Sequence, residues 1–245
     1  MNTYRMNAVM AGILYFLGTV VAFLSTVIGG EVLSSINTGN LLVDVDILSL
    51  VSAHSAGVTG GAFFILLTMI SLVAMTVFLY PVFRRDSPEL ALGMVLFRGA
   101  LEGVGYLLSA VVALALVALS HEYATGGAQS AALLSMGTVL YQIRDRLAPI
   151  TSIVFLIGTT CLYLCFYRTR LIPRWLSVWG LIGVVPYMAY ALLHFFHLDT
   201  GYELYMQMVL MPQELVMAIW LIARGFAPSA IAAQFSKTSV SQVGA

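Results

Sequence analysis

Residues 60–83 read GGAFFILLTMISLVAMTVFLYPVF and are followed at once by Arg84 and Arg85. No charge interrupts that run. At about 1.5 Å per residue, a helix of this length crosses the ~30 Å hydrocarbon layer of a bilayer. A soluble helix keeps one polar face for water, and this one has none to offer. The stretch therefore points to a membrane span that ends at a basic boundary.

Five further segments read the same way. With the first, they give spans at about residues 7–29, 60–83, 91–120, 148–167, 175–197 and 204–226. The composition agrees, with 60% hydrophobic and only 9% charged residues and a mean hydropathy of +0.96. A soluble domain carries about 25% charged residues. The expected fold is all-α, a polytopic helical membrane bundle of about six transmembrane helices. It forms a single domain over residues 1–226, followed by a polar, disordered tail over 227–245. The apolar run after Arg5 is longer than a signal-peptide core of ~7–15 residues, so it reads as a retained first helix.

The loops orient the bundle. Arg5, Arg84, Arg85, Arg168, Arg170, Arg174, Arg224 and Lys237 all fall on one side of a six-span count, which the positive-inside rule makes cytoplasmic. Both termini are then cytoplasmic, in a multi-pass cell membrane protein. The opposite loops carry Glu31, Asp44, Asp46, Glu122, Asp199 and Glu203, and only Arg144 and Arg146 break the pattern. Within these loops, residues 41–50 read as a short interfacial helix. Residues 131–146 read as an amphipathic helix just outside span four.

Several functions are excluded. The net charge is zero and no basic stripe exists, so nucleic acid is not a partner. Lys237, in the tail, is the single lysine, which rules out a retinal Schiff base in the bundle. There is no Walker loop, dinucleotide glycine fingerprint or Gly-x-Ser-x-Gly elbow. Cys161 and Cys165 share one helix face and read as small packing residues.

A set of short motifs resembles a known family. Leu79-Tyr80-Pro81-Val82-Phe83-Arg84-Arg85 is followed by Phe97-Arg98-Gly99-Ala100-Leu101-Glu102. Arg170-Leu171-Ile172-Pro173-Arg174-Trp175-Leu176 and Pro212-Gln213-Glu214-Leu215 come next, and Trp220-Leu221-Ile222-Ala223-Arg224-Gly225-Phe226 closes the set. In order and spacing, from about Arg5 to Phe226, the chain resembles a bacterial domain-of-unknown-function family of small six-helix membrane proteins. Arg224 stands where such proteins often carry lysine. The resemblance implies the fold and a set of buried polar residues, but no activity.

Chemistry must reside in the charges placed at depth. An ionisable group at a span centre costs about 2.5–3.5 kcal/mol on insertion scales, so it is expected to be paired and to face inward. Arg98 and Glu102 lie at i, i+4 on span three, and Glu214 on span six comes out at the same depth, near the midplane. The reading predicts one network of Arg98, Glu102 and Glu214 between spans three and six. Its surplus negative charge could be met by a proton. Gln213, Tyr106, Tyr187, Tyr190 and Gln207 are candidates to line the same pocket, and Pro212 kinks the helix beside the acid.

A second cluster lies on the opposite face from the arginine-bearing loops. His194 and His197, with Asp199 beyond and His54 and His121 on the same side, suggest a zinc site or haem ligation. A simple interfacial role for these rings is the competing reading. Arg144, Asp145 and Arg146 form an outer rim, read as charges satisfied by headgroups or as an anion-attracting edge. Three functions remain open at this point. One is binding of a small or lipophilic ligand in the polar pocket, for transport, sensing or resistance. Another is a membrane-embedded metal-dependent enzyme using His54, His194 and His197. The last is a non-catalytic accessory subunit. A homodimer is compatible with the size.

Overall fold

The computed structural model describes residues 3–37, 46–126, 130–198 and 201–233. Six helices are long and apolar enough to cross a membrane, and no strand occurs among the described residues. The chain is thus a multi-pass helical bundle. The first helix, α1 (Thr3–Asn37), is bent at Gly30, which takes φ 60° and ψ −152°, a conformation open to a residue without Cβ. A short helix, α2 (Ile47–Ala53), leads through His54 into the second span, α3 (Ser55–Phe83).

The third span begins as α4 (Pro88–Met94), passes through one π-helical segment (Val95–Leu101) and continues as α5 (Glu102–Ala124). The fourth is α6 (Ser130–Thr169) and the fifth α7 (Arg174–Phe195). The sixth is broken into α8 (Glu203–Met208) and α9 (Met211–Ala223).

Three regions differ from the sequence reading. The amphipathic stretch before span four is not a separate element, because α6 runs unbroken for 40 residues through Pro149. At about 60 Å it is twice as long as the hydrocarbon layer is thick, so its N-terminal half extends past the span proper. The interfacial helix appears as α2, yet it is docked. Ile47, Leu48 and Val51 are buried, and α2 packs on α5 and α6. Finally, after a turn at residues 224–227, residues 228–233 are helical, with Ala230 and Ile231 packed on the core. Asp44, Asp199 and Lys237 lie outside the described residues.

α1 packs most extensively on α3 and also against α9, while α6 contacts α5 and α7. Two apolar cores result. One is built around Met75, Leu79, Phe83, Tyr163, Phe166 and Leu221, the other around Leu33, Leu48, Val58, Ala113 and Leu116 at the opposite end. Tyr106 packs against both. Phe63, Ile70 and Val77 form an outward stripe at seven-residue spacing on α3, as a lipid-facing helix side requires.

Asp46 caps α2. It accepts hydrogen bonds from Ser49 N–H (3.1 Å), Ser49 Oγ–H (2.7 Å) and Tyr123 O–H (2.8 Å). Partial burial works to raise the Asp46 pKa, but these donors outweigh it and hold the carboxyl below its ordinary value.

Candidate functional site

The π-helical segment presents Arg98 to the middle of the bundle. Its side chain is 3% exposed, and Glu102, at the junction with α5, is fully buried. The Glu102 amide reaches back to the carbonyl of Phe97, the longer hydrogen bond that defines a π turn. Such turns recur at functional sites. Gly158 of α6 lies directly against this turn: a Cβ there would stand 2.4 Å from the Arg98 nitrogen. Glycine is therefore what lets α6 approach the charged turn so closely.

Arg98 is held from several sides. Nη1 meets Glu102 Oε1 at 2.5 Å, and Nη2 faces Glu214 Oε1 at 3.6 Å. The guanidinium lies 4.3 Å from the ring centre of Phe155 and 5.4 Å from that of Tyr15. Desolvated cation–π contacts of this kind contribute about 2 kcal/mol, which offsets part of the cost of placing a cation at this depth. The Tyr15 hydroxyl donates to Glu214 Oε1 at 2.5 Å. The structure thus brings Arg98, Glu102 and Glu214 together, and it adds Tyr15 and Phe155.

The cluster is not closed. Arg98 Nε and Glu102 Oε2 are both buried and have no hydrogen-bond partner. Glu214 is also the more accessible acid, with its side chain 13% exposed against 1% for Glu102.

The break in the sixth span explains how Glu214 reaches Arg98. Pro212 cannot donate to the carbonyl of Met208, and the chain turns at residues 209–210 before α9 begins. Trp179 of α7 takes up the loosened backbone, with its indole N–H donating to the Val209 carbonyl at 3.1 Å. Gln213 is a fully buried clamp. Its Oε1 accepts from the Tyr163 hydroxyl, and its Nε2 donates to the Leu176 carbonyl at 2.9 Å. Gln213 therefore holds α9 against α6 and α7, leaving Glu214 in the first turn turned toward the arginine.

The remaining tyrosines form a row rather than a ring. Tyr187 lies 5.6 Å from Phe155 and 5.9 Å from Tyr190, and Tyr190 lies 5.8 Å from His194. All three α7 residues share one helix face, at i, i+3 and i+7. The row runs from the Arg98 cluster to the histidine-bearing end, where His194 Nε2 faces Asp145 Oδ1 at 3.7 Å. Tyr106, half-buried one turn beyond Glu102, sits beside that carboxylate. Gln207 lies on α8, before the break.

The Arg144–Arg146 rim does not act as one exposed edge. Helical geometry sends consecutive residues in different directions. Arg144 is 2% exposed and donates from Nε to Ser109 Oγ (3.1 Å) and the Ser109 carbonyl (3.3 Å). Asp145 turns toward His194, and exposed Arg146 donates to Nδ1 of His197 at 3.0 Å.

The histidines are likewise dispersed. His54 caps α2 through its own Leu50 carbonyl (Nδ1 to O, 3.1 Å), and His121 lies in the last turn of α5. Among the described residues no three His, Cys, Asp or Glu side chains gather into a group able to hold a metal. The set His54, His194 and His197 is therefore not assembled. Cys161 and Cys165 are free thiols.

Tyr15, Phe155 and Tyr163 were not legible as site residues, since each sits in an apolar run where an aromatic reads as packing. A tyrosine buried at the depth of a charged residue was the available signal. No curated protein and no solved structure matches the chain. Most of the first apolar helix, the other five, and the Arg-Gly-Ala-Leu-Glu and Pro-Gln-Glu motifs that meet at this site fall within residues 10–225, which match the model of the domain of unknown function DUF4386, and the chain belongs to that family.

Proposed function

We propose that the protein binds a small, largely apolar ligand inside the bilayer. A hydrogen-bonding group of that ligand would engage Arg98, Glu102 and Glu214. The observation that carries the reading is the open valence of the cluster: a buried donor, Arg98 Nε, and a buried acceptor, Glu102 Oε2, both lack partners. A cluster that only fixed helix register would be expected to satisfy itself, because an unpaired buried polar atom costs about 1–3 kcal/mol. A hydroxyl, amide or carboxylic acid offers the complementary acceptor and donor. Two acids against one base also leave one negative charge, which a proton or a cationic ligand neutralises.

The broken sixth span supports exchange of that ligand. Intramembrane helix breaks are tolerated where they line a cavity or binding site. Under this reading the arginine-bearing face is cytoplasmic and both termini lie there, in a bacterial cytoplasmic membrane. The role is transport, sensing or resistance.

Native mass spectrometry of the detergent-solubilised protein tests the reading. An adduct of small-molecule mass is expected on the wild type, and Glu214→Gln should lose it while keeping its helical content. A bare chain, with Glu214→Gln lowering only the thermal midpoint, would leave the cluster with a purely structural role.

A further inference from the structure

Away from the Arg98 cluster, at the arginine-bearing end, the loop between α6 and α7 and the end of α9 enclose a groove of about 540 Å³. Arg170, Arg174 and Arg224 line it, together with Trp220, and no acidic residue does. None of the three arginines forms an ion pair within 4.0 Å among the described residues. The positive-inside tendency accounts for arginines on this face, but not for their convergence on one cavity.

Two features add to the imbalance. Arg174 is the first residue of α7, whose first turn holds no acid, so a cation sits at the positive end of a helix dipole. Arg170 takes φ 54°, a left-handed backbone conformation that a non-glycine residue seldom adopts. The groove is also firmly built. Ala227 N–H donates to the Leu171 carbonyl at 2.9 Å, and Arg5 covers the last α9 carbonyls at Ile222 (3.2 Å) and Ala223 (3.1 Å). Since Arg5 already covers those carbonyls, Arg224 is not needed there.

We propose that this groove binds a phosphate group that carries net negative charge, with no cation of its own to balance it. Converging arginines are the chemistry that recognises phosphate. The tryptophans favour a lipid headgroup as its source. Trp175, the second residue of α7, and Trp220, on the groove wall, lie at this end, where aromatic side chains mark headgroup depth. Trp175 is 53% exposed and stacks on Trp179. A basic pocket between spans at that depth suits an anionic lipid.

The test compares phosphatidylglycerol with phosphatidylcholine on the purified full chain, read by native mass spectrometry, with inorganic phosphate as a competitor. Phosphatidylglycerol should be retained preferentially. Arg170→Gln, Arg174→Gln and Arg224→Gln should each weaken it about fivefold, and the triple variant about a hundredfold. The single variants keep the test valid if the triple variant does not fold. Arg84→Gln, on the same face but outside the groove, should bind as wild type. Displacement by inorganic phosphate would identify a soluble phosphate as sufficient, and resistance to it would identify the lipid. Equal retention of both lipids without any phosphate effect overturns the proposal, as does an Arg84→Gln loss matching the groove variants.

Discussion

Tyr15, on the first span, donates a 2.5 Å hydrogen bond to Glu214, on the last. The two are 199 positions apart, and their bond meets at the same carboxylate oxygen that faces Arg98. One oxygen thus joins α1, the π turn and α9.

Tyr15→Phe keeps the ring that Arg98 lies against and removes only the donor. A hydrogen bond to a charged group contributes about 1.5–3 kcal/mol, and a loss of that size is expected in the unfolding free energy in detergent. Combining it with Glu214→Gln should cost less than the sum of the two single losses, since both act on one bond. Strict additivity would show that the hydroxyl and the carboxylate are not coupled.

Gly158→Ala places a methyl against the backbone of Arg98, where the neighbouring atoms cannot give way. Overpacking of this kind costs about 1–3 kcal/mol. Gly103→Ala is the control, because its Cβ meets only side-chain atoms, Val73 Cγ2 at 3.2 Å and Met69 Cγ at 3.5 Å. A lower thermal midpoint for the first and a near-normal one for the second is expected. Equal midpoints would mean that α6 can move away from the turn.

Asp46 gives a pH signature outside the spans. Its pKa in the folded chain lies below the ordinary value of 3.8, so its capping is fully present above that pH. The contribution is lost as pH falls through the depressed folded value. Hydrogen exchange at the Ser49 amide, which Asp46 holds, should therefore stay slow at mildly acidic pH relative to its intrinsic rate and lose protection only below it. Asp46→Asn should abolish that transition while keeping most of the cap, and Asp46→Ala should cost about 1 kcal/mol of local stability. A transition that persists in the variant would assign it to another group.

The dispersed histidines predict that a chelator leaves the thermal midpoint unchanged and that purified protein carries well under one equivalent of zinc or haem iron per chain. Stoichiometric metal that His194→Ala removes would refute this and return the histidine-bearing end to consideration as a metal centre.

The spans were readable because hydropathy is a property of single residues summed over a window. The charges at depth were readable for a related reason, since each breaks such a window. What joins them was harder to see. A π turn adds a residue without changing composition, so the run around Arg98 looks like any helix. The aromatics of the site, Tyr15 and Phe155, are apolar enough to vanish into their spans. Pro212 announced a disturbance, but the separation of α8 from α9 depends on Trp179 and Gln213 being supplied by tertiary packing. The continuity of α6 was hidden in the opposite way. Arg144, Asp145 and Arg146 look like the charged end of a separate amphipathic helix until Ser109, His194 and His197 are seen to receive them.

Arg98 and Glu102 lie four residues apart on one span, so they enter the membrane as a self-neutralising couple as soon as that span is made. Glu214 comes from the last span and arrives unpaired. Until α9 docks, Tyr15 has no acceptor in Glu214 and the final carboxylate has no cation. A chain truncated before Met211 would insert its earlier spans without electrostatic complaint and yet lack the contact that distinguishes a finished bundle from a nascent one.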